Sequence, residues 1–430
     1  MSEKKKMDAK HLMIIFGCML LQAIPYGLAQ NVPPLFIHYL HTDFSFSLAN
    51  VGLIFTVGAI ASSLVSPFGG KFYAKFSTRL VMTCAMLVSC VGLFMNAFVN
   101  SLGMYFLANA IIQIGCVIYS GLGVPYLIGT WFDEKTKAQA LGVAFAGGSI
   151  GNFFLQPIFA NLLHKYAVNS VDGLHHVYLI AAIAALVVGV LVLLFLIRDH
   201  KAASADKAAS AEENAKAQEV SLKGIGAAAV RKLPAFWILA LGMFFIGLNI
   251  SAQSSQYANY FDAYHVPAAI VGTVGSTFAI ACLIGNVGGG VLFAKLGVFH
   301  SSLVAFALQF LSCVTMIVFG FTHMAWLGYI WAALYGLTVF IYMSGPAIII
   351  QDLFGMKESS ESLGVFSIFF AVGFAIGNVI FGAIVDTMGY LPAWFMTLIF
   401  IIIGFTILSI MIKKIMAKNY AHMTSIDEAK

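Results

Sequence analysis

The chain has 430 residues, of which 60% are hydrophobic and only 10% charged, with a formal net charge of +5. A water-soluble domain carries roughly 25% charged residues, so this composition argues against a soluble fold and for a chain solvated by lipid. At about 20 apolar residues per crossing, the length allows about a dozen helical spans.

In chain order, the charged start MSEKKKMDAK leads directly into an apolar run too long for a signal-peptide core, so the first helix is expected to be retained. Apolar runs of spanning length then predict twelve helices, at 11–39, 46–73, 79–98, 102–130, 138–164, 175–197, 235–261, 268–294, 300–321, 325–351, 361–385 and 390–415. With the N-terminus in the cytoplasm, 22 of the 23 Lys and Arg residues fall on the cytoplasmic side and only Lys165 on the other. Both termini are therefore expected to be cytoplasmic. The external segments are short except for HKYAVNSVDGLHH, from His164, a polar stretch expected to fold over the external mouth. It carries no glycosylation sequon, and with the minimal loops this favours a bacterial inner membrane.

The one long polar stretch, 199–234, is rich in Ala, Lys, Glu and Ser and reads as a linker. Its end, GIGAAAVRKL, suits either a solvated tether or an amphipathic surface helix. The chain thus divides into an N-terminal half (1–198), the linker, a C-terminal half (235–415) and a polar tail (416–430). Six cysteines (Cys18, Cys84, Cys90, Cys116, Cys282, Cys313) lie inside apolar runs without metal-ligand spacing and read as small packing residues.

The two halves repeat. VGLIFTVGAIASSLVSPFGGKFYAKFS, from Val51, aligns without gaps to VGTVGSTFAIACLIGNVGGGVLFAKLG, from Val271, and 271 − 51 = 220. At nearly the same offset Gly27-Leu28 matches Gly247-Leu248, Gly115 matches Gly336, Pro125 matches Pro346, and Leu141-Gly142 matches Leu363-Gly364. Two halves of the same orientation are the arrangement of proteins that rock around a central site.

The segment from Gly70 to Arg79, GKFYAKFSTR, resembles the signature between the second and third helices of the major facilitator superfamily, and Gly290 to Gly297 resembles it again. Both copies depart from it at Ala74 and Ala294, where the family usually places an Asp that latches the cytoplasmic side. The resemblance implies an all-α membrane protein of twelve transmembrane helices in two six-helix parallel-repeat halves, with Gly70, Lys75, Arg79, Gly290 and Lys295 at gating positions. Cations at cytoplasmic helix ends also satisfy the helix dipole, and glycines also serve plain tight packing. Trp131-Phe132 followed by GVAFAGGSIG (Gly142 to Gly151), with Lys135 and Lys137 between them, resembles the fifth-helix pattern of monocarboxylate porters and oxalate-formate antiporters. That likeness implies a secondary active transporter of a small organic acid. The Arg or Lys these families place in the eighth and eleventh helices is missing, because no span interior here carries a charge.

What the spans do carry is a set of uncharged polar residues. Gln22, Tyr26 and Gln30 share a face of the first span at i, i+4 and i+8, and Asn249, Gln253 and Gln256 share one on the seventh. The match is not symmetric, since Ile246 and Ile250 stand opposite Tyr26 and Gln30. Tyr119, Tyr335 and Tyr342 add hydroxyls, and Asn152, Asn286 and Asn378 add further amides, with Gln156 beside them. These are the candidate substrate-binding residues, and the alternative is hydrogen bonding between helices. Pro25, Pro33 and Pro34 are expected to kink the first span. The plausible groups for proton coupling sit at the outer span ends, His38, His41, Asp43, Asp262, His265 and Asp386, where mouth residues are more often merely solvated.

No metalloprotease, phosphate-loop or nucleophile-elbow motif occurs, so no catalytic residue, metal or cofactor is expected and the chain does not read as an enzyme. The expected partners are a small-molecule substrate and the bilayer, without nucleic acid, and a monomer suffices. Two further readings stay open: an exporter of neutral or amphipathic compounds, and a membrane sensor that transports nothing.

Overall fold

The structure, a computed structural model, describes residues 9–132, 134–168, 170–198, 224–355 and 359–422. Its elements are helices, with a single isolated bridge between Gly224 and Gly355. In chain order they are α1 (Ala9–Phe44), α2 (Leu48–Lys75), α3 (Thr78–Asn96), α4 (Leu102–Trp131), α5 (Glu134–Tyr166) and α6 (Val171–Phe195). After the linker come a short α7 (Ala227–Lys232), α8 (Pro234–Ala263), α9 (Ala268–Thr322) and α10, a pair (Leu327–Met343, Gly345–Phe354) bent by 46°. The last two are α11 (Ser359–Met388) and α12 (Tyr390–Met416). Among the described residues ten helices are long and apolar enough to cross a membrane, or eleven with the bent pair counted as one span.

The predicted runs match these helices except at one point: 268–294 and 300–321 are continuous in α9. That 55-residue element nevertheless holds a non-helical residue, Gly297, at φ 69° and ψ 173°. The positive φ suits glycine, which has no Cβ to clash. In the first half the corresponding break falls at Ser77, which accepts a hydrogen bond from Leu80 N and starts α3, and 297 − 77 = 220. The repeat also reaches the backbone elsewhere: Ser45 and His265 both have positive φ, at 55° and 57°, and 265 − 45 = 220.

The polar stretch from His164 departs from expectation. His164 and Lys165 are in the last turn of α5, and α6 already begins at Val171, so most of it is helix. Ser170 explains the early start, because its hydroxyl accepts from Gly173 N at 3.0 Å and Asp172 stands in the first turn, where negative charge suits the helix dipole.

The described residues group into two units. One lies within Met1–Phe46, Leu53–Ala208 and Pro267–Ser276, and the other within Ser47–Gly52, Ala209–Val266 and Thr277–Lys430. In the first unit α5 packs on α1 through Gly147 and Gly151, where an added Cβ would collide with the backbone carbonyls of Met19 and Ala23. In the second unit α11 packs on α8 through Gly373 and Gly377, against the carbonyls of Phe244 and Leu248. Glycines four apart thus let two helix backbones touch, the close approach that spans use in lipid.

The end of the linker is docked. Ile225 N donates to Phe354 O at 3.1 Å, Ile225, Ala227 and Val230 are buried, and Arg231 pairs with Glu361 at 3.1 Å. GIGAAAVRKL is therefore not a free tether but a docked segment that holds the short helix α7, and residues 199–223 lie outside the described ones. The six cysteines are free; five are buried as expected, whereas Cys84 is exposed.

Candidate functional site

The first unit gathers its candidates on α1. The expected kink there is more specific than a bend: Gln22–Asn31, with Pro25 inside, forms a π-helix, followed by a 3₁₀ turn over Pro33–Phe36. Val32 N accordingly reaches back five residues to Gly27 O. Such wide turns are common at functional sites, and α4 has one as well, Val117–Leu122.

From the π segment, Gln22 accepts at Oε1 from Ser120 Oγ at 3.0 Å, while its Nε2, also buried, has no partner among the described residues. Tyr26 and Gln30 are half-buried, and Gln30 donates to Gln113 Oε1. Tyr119 is fully buried, with its hydroxyl 3.7 Å from Cys116 Sγ, which in turn lies 3.4 Å from Ser89 Oγ. Asn152 accepts from Gln156 at 2.9 Å, and Gln156 also donates to Asn31 O at 2.6 Å, tying α5 to α1.

The second unit is different, because most of its amide stripe is paired internally, although Asn249 Nδ2 is buried and, like Gln22 Nε2, has no partner among the described residues. Gln253 on α8, with no exposed surface, donates to Asn249 (3.0 Å) and Gln309 (3.4 Å), and accepts from Ser312 (3.0 Å) and Trp331 (3.0 Å). Gln309 continues the chain to Thr338 at 2.9 Å. Gln256 donates to Asn378 at 3.4 Å, Asn378 donates to Ser255 at 3.1 Å, and Asn259 reaches the Tyr390 hydroxyl at 2.7 Å. Tyr335 is buried and donates to Ile250 O at 3.0 Å. Tyr342 is half-buried and stacked on Phe370, and Asn286 is exposed.

Of the gating candidates, Lys75 and Lys295 are exposed, and Arg79 donates to Leu194 O at 2.6 Å, joining α3 to the end of α6. Gly290 and Gly288 face open space, whereas Gly289 between them lies against Phe340. The surroundings of Gly70, and the side chains of Lys135 and Lys137, lie outside the described ones.

Sequence reasoning passed over Gln113, Gln309, Ser120 and Trp331, each a single polar group in an apolar run. It also read Asp386 as a solvated mouth residue. In the second unit Asp386 accepts from Leu48 N at 2.9 Å and Ala49 N at 3.0 Å, capping the first turn of α2. Asn378, Gly382 and Asp386, four apart on α11, follow that turn: Gly52 lies against the Asn378 backbone and Gly382 against Leu48.

The sequence profile of the Major Facilitator Superfamily matches residues 18–378 and 239–420. The chain belongs to the Major Facilitator Superfamily. As a member it is an integral, multi-pass membrane protein and a secondary transporter of small molecules by alternating access, not an enzyme. It is 22% identical over 403 residues to Monocarboxylate transporter 12 of Xenopus laevis, covering 89% of this chain and 84% of that one. It is 24% identical over 359 residues to the Chromaffin granule amine transporter of Homo sapiens, covering 82% of this chain and 62% of that longer protein. Among solved structures, the nucleoside transporter NupG matches with a TM-score of 0.72 at 17% identity, over 94% of this chain and all of that one, a likeness of fold.

Proposed function

We propose that this superfamily member has twelve spans, with α9 crossing twice around Gly297, in two six-helix halves (1–198 and 235–415) joined by the linker. Both termini are cytoplasmic in a bacterial inner membrane. It carries a small organic acid, by exchange or in company with a proton, with Gly70, Lys75, Arg79, Gly290 and Lys295 at the gate. The observation that carries the substrate class is on α1: a buried, unpartnered amide donor at Gln22, with half-buried Tyr26 and Gln30 on the same π segment. Carboxylate oxygens are acceptors without donors and complement that set. Tyr342 and Asn286 are the second unit's accessible members. The fifth-helix likeness and the relationship to a monocarboxylate transporter support the same class.

A second reading, export of a neutral or amphipathic compound, is favoured by the uncharged span interiors, since an anion bound without a cation is costly to desolvate. Uptake and counterflow of labelled formate, oxalate, lactate and pyruvate in proteoliposomes, with and without a pH gradient, separates the two. Saturable counterflow of one acid, lost in Gln22→Ala and Gln30→Ala, supports the acid carrier. Absence of flux for every acid from folded protein sinks it in favour of the second reading.

A further inference from the structure

Inside the first unit α1, α2, α3, α4 and α6 enclose a cavity whose lining includes Leu28, Pro33, Asn96, Tyr105, Asn109 and Tyr178. Its walls are mostly apolar, yet two polar atoms in them are orphaned. Asn96 Oδ1 and the Tyr105 hydroxyl have no hydrogen-bond partner among the described residues, although Asn96 is 8% exposed and Tyr105 1%. Of the other two side chains with a polar group, Asn109 and Tyr178, Asn109 uses its amide N–H₂ on Ile54 O. The cavity measures about 30 Å³, against roughly 10–15 Å³ needed to hold one water on that measure. Buried polar groups in native proteins are almost always paired with protein or ordered water.

We propose that this cavity is a hydration site, holding about two ordered waters that donate to Asn96 Oδ1 and bond to the Tyr105 hydroxyl. The pairing is chemically specific: Asn96 Oδ1 can only accept, a tyrosine hydroxyl donates and accepts, and water does both. Leu28 and Pro33 bring in the turn of α1 where Pro33 and Pro34, lacking N–H groups, deprive the carbonyls of Leu28 and Ala29 of the donors that the π register, five residues on, would supply. The bound water thus lies beside the break in the helix that also carries Tyr26 and Gln30.

The test uses the full chain in lipid nanodiscs. A high-resolution structure is expected to show two density peaks within hydrogen-bond distance of Asn96 Oδ1 and the Tyr105 hydroxyl. Tyr105→Phe, which keeps the ring, is expected to lower the thermal midpoint, because the water loses a partner. A cavity without water density that takes up xenon overturns the proposal, since dry cavities bind such apolar probes. A midpoint that is unchanged or higher in Tyr105→Phe also overturns it, because removing a dry orphaned hydroxyl relieves a cost.

Discussion

Gln253→Ala tests whether the amide stripe of α8 is scaffold or ligand. The side chain makes four hydrogen bonds, to Asn249, Gln309, Ser312 and Trp331. Three of these reach other spans, and at an average of about 0.6 kcal/mol for such a bond their loss costs about 2 kcal/mol. The losses are unequal: Ser312 keeps its bond to Gln309 O and Gln309 keeps Thr338, whereas Trp331 Nε1 and Asn249 Oδ1 lose the bond each makes here. The purified variant is expected to melt several degrees lower, while protein that remains folded transports with an unchanged KM. An unchanged melting midpoint with abolished transport would refute this reasoning and return Gln253 to the substrate.

Gln30→Ala removes one bond at a half-buried site, so it is expected to leave the melting midpoint within about 1 kcal/mol of wild type and to raise KM several-fold in counterflow. Gly151→Ala drives a methyl group into the carbonyl of Ala23 and is expected to cost about 1–3 kcal/mol by overpacking, read as a lower midpoint, whereas Gly148→Ala, facing open space, is neutral. Asp386→Ala removes the cap on α2 and is expected to cost about 0.5–2 kcal/mol locally. Hydrogen exchange at Leu48 and Ala49 should then accelerate, and unchanged protection there would contradict the cap.

The spans were legible because lipid demands long apolar runs, and the repeat was legible because one gapless alignment carried it. Gln253 shows where that legibility stops. Periodicity places Asn249, Gln253 and Gln256 on one face of α8, but not which neighbours the face meets. The answer depended on Gln309, Ser312 and Trp331, isolated polar residues in other runs. The π segment of α1 was hidden for a related reason, because Pro25 announces a disturbed helix without specifying how the hydrogen bonds re-form. Ser45 and His265 take left-handed backbone with no glycine to signal it. The stretch from His164 was misjudged because polarity outweighed the capping pattern of Ser170 and Asp172.

The docking of α7 has a practical consequence for how the gene can be divided. Gly224, Ile225 and Arg231 are committed to Gly355, Phe354 and Glu361, far downstream in the chain. A split pair of co-expressed fragments, or an inserted fluorescent reporter, therefore belongs ahead of Gly224. A junction placed at Pro234, where the apolar run begins, would strip the second fragment of its own clasp.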